Sequence, residues 1–144
     1  MISKTAQYAV RAVILISAEP SLNHGAQEIA QKIGAPPNYM GKLLRLLADS
    51  GVLESTRGSG GGFRLARPSN EISLYEIVEP IDRVSRWTTC FLGLGSCLPG
   101  TPCALHPRWE PIRESYLQML KSLTIAEIQH DDAISSMRLM ADAT

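Results

Sequence analysis

Three cysteines, Cys90, Cys97 and Cys103, fall within one short stretch, and His106 follows the last of them. They are all the cysteine the chain contains. The spacing C-x6-C-x5-C-x2-H sets three thiols and one imidazole on a single segment rich in glycine and proline. The thiolate is the form of cysteine that binds metal. An odd number of cysteines argues against a disulfide framework. Free cysteines that merely fill a core would scatter through helices and strands. Clustered as they are, these point to metal. Three thiolates plus an imidazole suit structural zinc, and they suit an iron–sulfur cluster as well. Spacing alone leaves the two open.

A second set of polar residues lies in the first half of the chain. Asn38 and Lys42 are one helical turn apart; asparagine can pair with adenine and lysine with guanine acceptors. Tyr39 and Arg45 are expected to touch phosphates, which position a protein on DNA without reading sequence. Arg57 heads the run Arg57-Gly58-Ser59-Gly60-Gly61-Gly62, with Gly60 at its tip. It is placed to enter a minor groove, where negative potential is enhanced. Arg64 and Arg67 are expected on phosphates. These residues have plainer uses too: Asn38 as a helix cap, Lys42 as solvated surface, the glycines as a loose turn. A nucleotide-binding loop is a poor fit, because no Gly-Lys-Ser/Thr closes the glycine run and it joins two strands.

The charge distribution agrees. Residues 1–70 carry eight Lys/Arg against four acids, and residues 71–144 carry six against ten, although the net charge is zero. A basic front half suggests an anionic partner.

The elements that must position these residues follow from periodicity. A first helix is expected over residues 4–18, capped by Ser3, with Ala6, Ala9, Val10, Val13 and Ile16 as its apolar stripe. A second fits residues 26–33 and a third starts at Pro36-Pro37, carrying Met40, Leu43, Leu44 and Leu47. Strands are expected over 52–56 and 62–66, with Phe63 and Leu65 on one face. Ser73 and Glu76 form a capping box for a helix that should end near Pro80. Residues 87–107 show no period, and a loop that long usually has a function. The next helix is expected from Arg108, with Pro111 in its first turn. Trp109, Ile112, Tyr116, Leu120 and Leu123 line one side of it. A second capping box, Thr124 with Glu127, starts a last helix whose apolar face includes Ile125, Ile128, Ala133, Ile134, Met137 and Met140.

Three helices followed by a two-stranded hairpin make a winged helix-turn-helix, whose third helix lies in the major groove. The fold class expected is mainly α with a small β-hairpin wing. Residues 1–70 form the DNA-binding region. Residues 71–144 hold the sensor loop and dimerisation helices, and the whole is expected to be one integrated domain. An apolar fraction of 44% with 19% charged residues excludes a mostly disordered chain. No apolar stretch approaches the ~20 residues of a membrane span. The chain is therefore expected in the cytoplasm with no membrane partner. No paired carboxylates, Ser/His/Asp set or phosphate loop suggests an enzyme. His24 reads as a loop residue and His130 as a solvated helical one.

The segments Leu43-Leu44-Arg45-Leu46-Leu47, Gly51-Val52-Leu53 and Arg57-Gly58-Ser59-Gly60-Gly61-Gly62-Phe63 resemble the DNA-binding module of the Rrf-two family of bacterial transcription regulators. The opening Tyr8-Ala9-Val10-Arg11-Ala12 is similar too, and the cysteine loop lies where cluster-binding members carry theirs. The resemblance implies a homodimer, with the helix over 108–122 against its partner, and an iron–sulfur cluster on Cys90, Cys97 and Cys103. IscR-like members use a histidine at the place of His106. NsrR-like members take an acidic ligand from the first helix, where this chain has Gln7, a poor ligand. That favours His106 and a 2Fe-2S cluster over a 4Fe-4S one. The first cysteine gap is one residue longer than the usual C-x5-C. Gly41 stands where IscR-like members have a glutamate that tunes DNA choice, so a target sequence does not carry over. The function implied is a DNA-binding regulator sensing iron–sulfur status, redox or nitric oxide. The alternative is a winged-helix regulator whose cysteines bind zinc or react directly with oxidants.

Overall fold

A stripe of small and branched residues, Ala6, Ala9, Ala12, Val13 and Ile16, runs along the first helix, and every one of them is fully buried. That helix, α1 (Lys4–Ser17), starts where the Ser3 hydroxyl accepts the Ala6 N–H, satisfying one of the donors a helix start leaves open. The computed structural model describes residues 2–88, 90–95, 100 and 103–130. In chain order it has α1, α2 (Ala26–Ile33), α3 (Pro37–Asp49), β1 (Leu53–Thr56), β2 (Gly62–Leu65), α4 (Leu74–Asp82), α5 (His106–Ser122) and α6 (Ile125–Gln129). Short 3-10 turns cover Ser69–Glu71 and Val84–Thr88.

The alanines let other elements approach α1 closely. Ile29, Ile33, Met40, Leu44, Leu47, Val52 and Leu53 pack against it in one core cluster. Burying each large side chain contributes roughly 1.5–3 kcal/mol. β1 and β2 form an antiparallel hairpin in which Leu53 faces Leu65 and Thr56 faces Gly62. Phe63 and Leu65 turn toward the core cluster as expected. A second cluster, Ala6, Val78, Val84, Leu117 and Leu120, joins the N-terminal end of α1 to α4 and α5.

The Ser73–Glu76 capping box forms in full at the start of α4, and the Thr124–Glu127 box does so at the start of α6. The two caps are bridged to each other. Leu74 N–H donates to the Leu123 carbonyl, and Ile125 N–H to that of Ile72, both at 2.9 Å. Ile125 thereby enters the first core cluster.

Two boundaries differ from the sequence expectation. The α4 helix does not stop at Pro80 but runs through it to Asp82. Proline there forfeits one helical hydrogen bond. Tertiary anchors compensate: Ile77 and Val78 are fully buried, Asp82 binds Ser3 and Glu79 binds Ser85. The α5 helix begins at His106, not Arg108, because Pro107 falls in its first turn, where a proline lacks no needed donor. Pro111 is then interior to the helix. The expected apolar positions Ala133, Ile134, Met137 and Met140 lie outside the described residues.

Candidate functional site

On α3, Asn38, Lys42 and Arg45 follow helical spacing and are all exposed. With Pro37 and Gly41 they line one concavity of about 440 Å³. Asn38 is not the helix cap: Pro36 occupies that position, and no side chain caps the helix. The opposite side of α3, Met40, Leu43, Leu44 and Leu47, is buried. The polar face is thus the one left for a partner. A Cβ added at Gly41 would meet only the Ala26 Cβ, at 3.9 Å, so packing does not demand a glycine there.

The wing is firmer than a loose turn. Gly61 N–H donates to the Gly58 carbonyl at 3.0 Å, and Asn23 Nδ2 donates to the Gly60 carbonyl at 3.1 Å. His24 exchanges two backbone hydrogen bonds with Phe63. Its side chain is buried, with Nε2 3.1 Å from the Glu19 carbonyl oxygen. Sequence reasoning placed His24 in a loop and missed this burial; an isolated histidine before a helix gives no periodic signal. Arg57 stands exposed at the base of the wing tip. Arg64 pairs across the hairpin with Glu54. Arg67 binds the Glu76 carboxylate and the Glu71 carbonyl, so it ties the end of the wing to α4. Tyr39 is partly exposed, and its hydroxyl shares a hydrogen bond with that of Thr5.

The cysteine loop follows the 3-10 turn over Val84–Thr88. Cys90 N–H donates to the Gly95 carbonyl at 2.8 Å, and Gly93 N–H returns to the Cys90 carbonyl at 2.8 Å. The resulting turn brings the Leu92 N–H to 3.4 Å from Cys90 Sγ. Cys90 is half-buried, Cys103 is exposed, and neither is in a disulfide. Cys97 lies outside the described residues. His106, the first residue of α5, has Nε2 3.5 Å from Glu110. Among the described residues no three metal-ligating side chains converge. Trp87, Phe91 and Trp109 wall a cavity of about 320 Å³ with Cys90 and Gly93. Phe91 meets Trp109 edge-on at 5.2 Å, and Trp87 stacks on Tyr116 at 5.0 Å. Burial, then the nearby Asp82 carboxylate, pushes the Tyr116 phenol above its ordinary value.

The residues expected on one side of α5 separate. Leu120 is fully enclosed, and Tyr116 and Leu123 are half-buried. Leu120 packs in the chain's own second cluster, with Tyr116 against it, so it is not presented to a partner. Trp109 turns to the cysteine loop. Ile112, 62% exposed, and Met119, 44% exposed, are the large apolar residues facing outward. The missed inward residue is Leu117.

A family model, Rrf2, described as an iron-dependent transcriptional regulator, matches residues 2–131. The chain belongs to the Rrf2 family. The HTH-type transcriptional regulator IscR of Vibrio cholerae serotype O1 is 29% identical over 129 residues, which are 89% of this chain and 74% of that protein. IscR of Klebsiella pneumoniae strain 342 is 28% identical over 107 residues, 74% of this chain and 65% of that one. Among solved structures, T. potens IscR superposes with a TM-score of 0.74 at 24% identity, covering 99% of this chain and 93% of that one. CymR, the global cysteine regulator of B. subtilis, gives 0.72 at 21%, covering 94% and 97%. These structures establish the winged-helix fold. As an Rrf2 protein, the chain is a DNA-binding transcriptional regulator. Among the described residues no helix is long and apolar enough to cross a membrane.

Proposed function

We propose that this Rrf2 regulator is a cytoplasmic homodimer that reads double-stranded DNA with α3 and the wing. In this reading Cys90, Cys97, Cys103 and His106 hold an iron–sulfur cluster, of the 2Fe-2S type. Asn38 and Lys42 address base edges, Arg45 lies at the phosphate backbone, and Arg57, with Gly60 at the tip, enters the minor groove. Arg64 and Arg67 shape the wing through Glu54 and Glu76 and border the backbone.

One observation carries the metal assignment. His106 sets Nε2 beside Glu110, which leaves Nδ1 for a metal; metal-bound histidines commonly hold their other nitrogen on a carboxylate. The donor set fits in kind: two cysteines outside any disulfide on the same segment as this imidazole, with one sulfur receiving a backbone N–H. Trp109 Nε1, buried and without a hydrogen-bond partner, adds a spare donor beside the Cys90 cavity. Such a cluster supplies an iron centre open to redox change and to small ligands. His106 belongs at once to the loop and to α5. A change in loop order is therefore carried into the helix whose outward residues, Ile112 and Met119, meet the second copy. The spacing of two recognition helices depends on that contact.

The same His106–Glu110 arrangement accommodates zinc, so the deciding experiment is elemental. Protein purified without air is analysed for iron, sulfide and zinc alongside its visible spectrum. Iron and sulfide with a coloured band are expected, and Cys97→Ala should remove both while the protein stays folded. Zinc without sulfide would overturn the cluster assignment. DNA affinity of loaded and cluster-free protein is then compared at one salt concentration, since phosphate contacts make affinity salt-dependent. Equal affinity and equal site preference would remove the sensing role.

A further inference from the structure

The first turn of α1 is bonded to two other helices. On one side Ser3 donates its backbone N–H to Asp82 Oδ2 at 2.8 Å and its hydroxyl to Oδ1, at the end of α4. On the other side the Thr5 hydroxyl shares a hydrogen bond with Tyr39 on α3. One turn further on, the Tyr8 ring meets the Tyr39 ring edge-on, at 6.2 Å and 73°. Lys4 Nζ lies 5.2 Å from the centre of the Tyr8 ring. Tyr39 is thus held from α1 through both its hydroxyl and its ring.

The location matters because of what α3 lacks. Its buried residues begin at Met40 and continue through Leu47, so the core fixes the middle and far end. The first turn has no side-chain cap. Yet in a recognition helix it is the N-terminal residues that contact base edges. Tyr39 is the first-turn side chain tied back to the body of the protein, and Asp82 holds the α1 turn to which it is tied.

We propose that Tyr39 and Thr5 are positioning residues for DNA reading: their shared hydrogen bond sets the angle at which Asn38 and Lys42 enter the groove. This rests on α3 being the reading helix. The phenol has one proton, and when that proton is given to Thr5 the hydroxyl has none for a phosphate. Holding the first turn of α3 in this way is a different role from the backbone contact that residue type and position alone suggest.

The test uses the full chain with two duplexes of equal length, one selected from random-sequence DNA by the wild-type protein and one scrambled. Affinities are measured at one salt concentration. Tyr39→Phe and Thr5→Val should each weaken binding to the selected duplex about two- to tenfold, the range expected for one hydrogen bond. The double variant should be no weaker than either single one, because both remove the same bond. Thr5→Ser should restore binding, and affinity for the scrambled duplex should not change. Thermal melting monitors the fold, with Thr5→Ala replacing Thr5→Val if the latter melts early. A loss on both duplexes with Tyr39→Phe, and none with Thr5→Val, would overturn the proposal in favour of a direct phosphate contact. No loss with either variant would overturn it too. If Lys42→Ala also binds both duplexes like wild type, the failure lies in the assignment of α3 as the reader.

Discussion

His24 and Phe63 hold each other by two backbone hydrogen bonds, each 2.8 Å long, a single bridge that ties the segment before α2 to the β2 strand of the wing. The adjoining Gly62 has φ 146°, and a Cβ there would lie 2.6 Å from the His24 carbonyl oxygen. Only glycine permits that approach. Gly62→Ala should therefore part the strands and cost about 1–3 kcal/mol, the usual scale of such strain. Urea unfolding measures the cost, and an unchanged midpoint would show the pairing to be dispensable.

The polar face of α3 and the wing should contribute differently to DNA binding. Lys42→Ala should cost about 1–3 kcal/mol on the preferred sequence and relax the choice of base at one position. Arg57→Ala should weaken binding while leaving metal content and oligomeric state unchanged. Competition with duplexes changed one base pair at a time separates the two, because loss of a major-groove base contact relaxes the choice at its own position alone. A loss of dimer in Arg57→Ala would mean that the wing is misassigned.

Acid should loosen the junction between the wing and α4. Burial raises the Glu76 pKa, but the Ser73 backbone N–H and the Arg67 guanidinium together outweigh it, and the carboxyl sits below its ordinary value of 4.5. A depressed folded value means that the stabilisation is complete above the ordinary value and is lost as pH falls through the folded one. Glu127, bound by Thr124, is shifted in the same direction. Urea midpoints should be flat near neutrality and fall below a pH of about 4.5. Glu76→Gln should start lower and show a shallower acid slope. Equal slopes would assign the acid sensitivity to other groups.

Both tryptophans of the chain, Trp87 and Trp109, line the Cys90 cavity. Their emission should be quenched when a cluster absorbing in that spectral range is loaded, and it should recover on chelation. Cys90→Ala should abolish the quenching. Emission unaffected by loading would place the metal elsewhere.

The two faces of α5 should respond oppositely to mutation. Ile112→Glu should weaken the dimer in sedimentation without lowering the melting temperature of the protomer. Leu120→Ala should destabilise the protomer by about 2–5 kcal/mol, as deletions in a closed core do. The reverse pattern would move the interface off the outer face of α5.

Where side-chain type determines local structure, the sequence was readable. The Ser3 cap, both capping boxes, the stripe on α1 and the glycine-rich wing were expected and are present. The reading was less accurate where distant parts meet. Pro80 reads as a stop until Ser3 is seen to anchor Asp82. Leu120 and Ile112 share an apolar period, and only the packing of α4 against α5 shows that one is enclosed and the other bare. The tie of Tyr39 to Thr5 was not legible, because it spans two helices.

The bridge between Ser73 and Thr124 gives α5 unequal ends. Its far end is stitched into the main body by Leu123 and Ile125, while at its near end the His106 N–H donates to the Cys103 carbonyl. A rod pinned at one tip and steered at the other behaves as a lever: a small shift at the steered tip sweeps the outer surface through an arc instead of sliding it. A chain cut after Ser122 would lose the pivot and with it any such leverage, even with every cysteine retained.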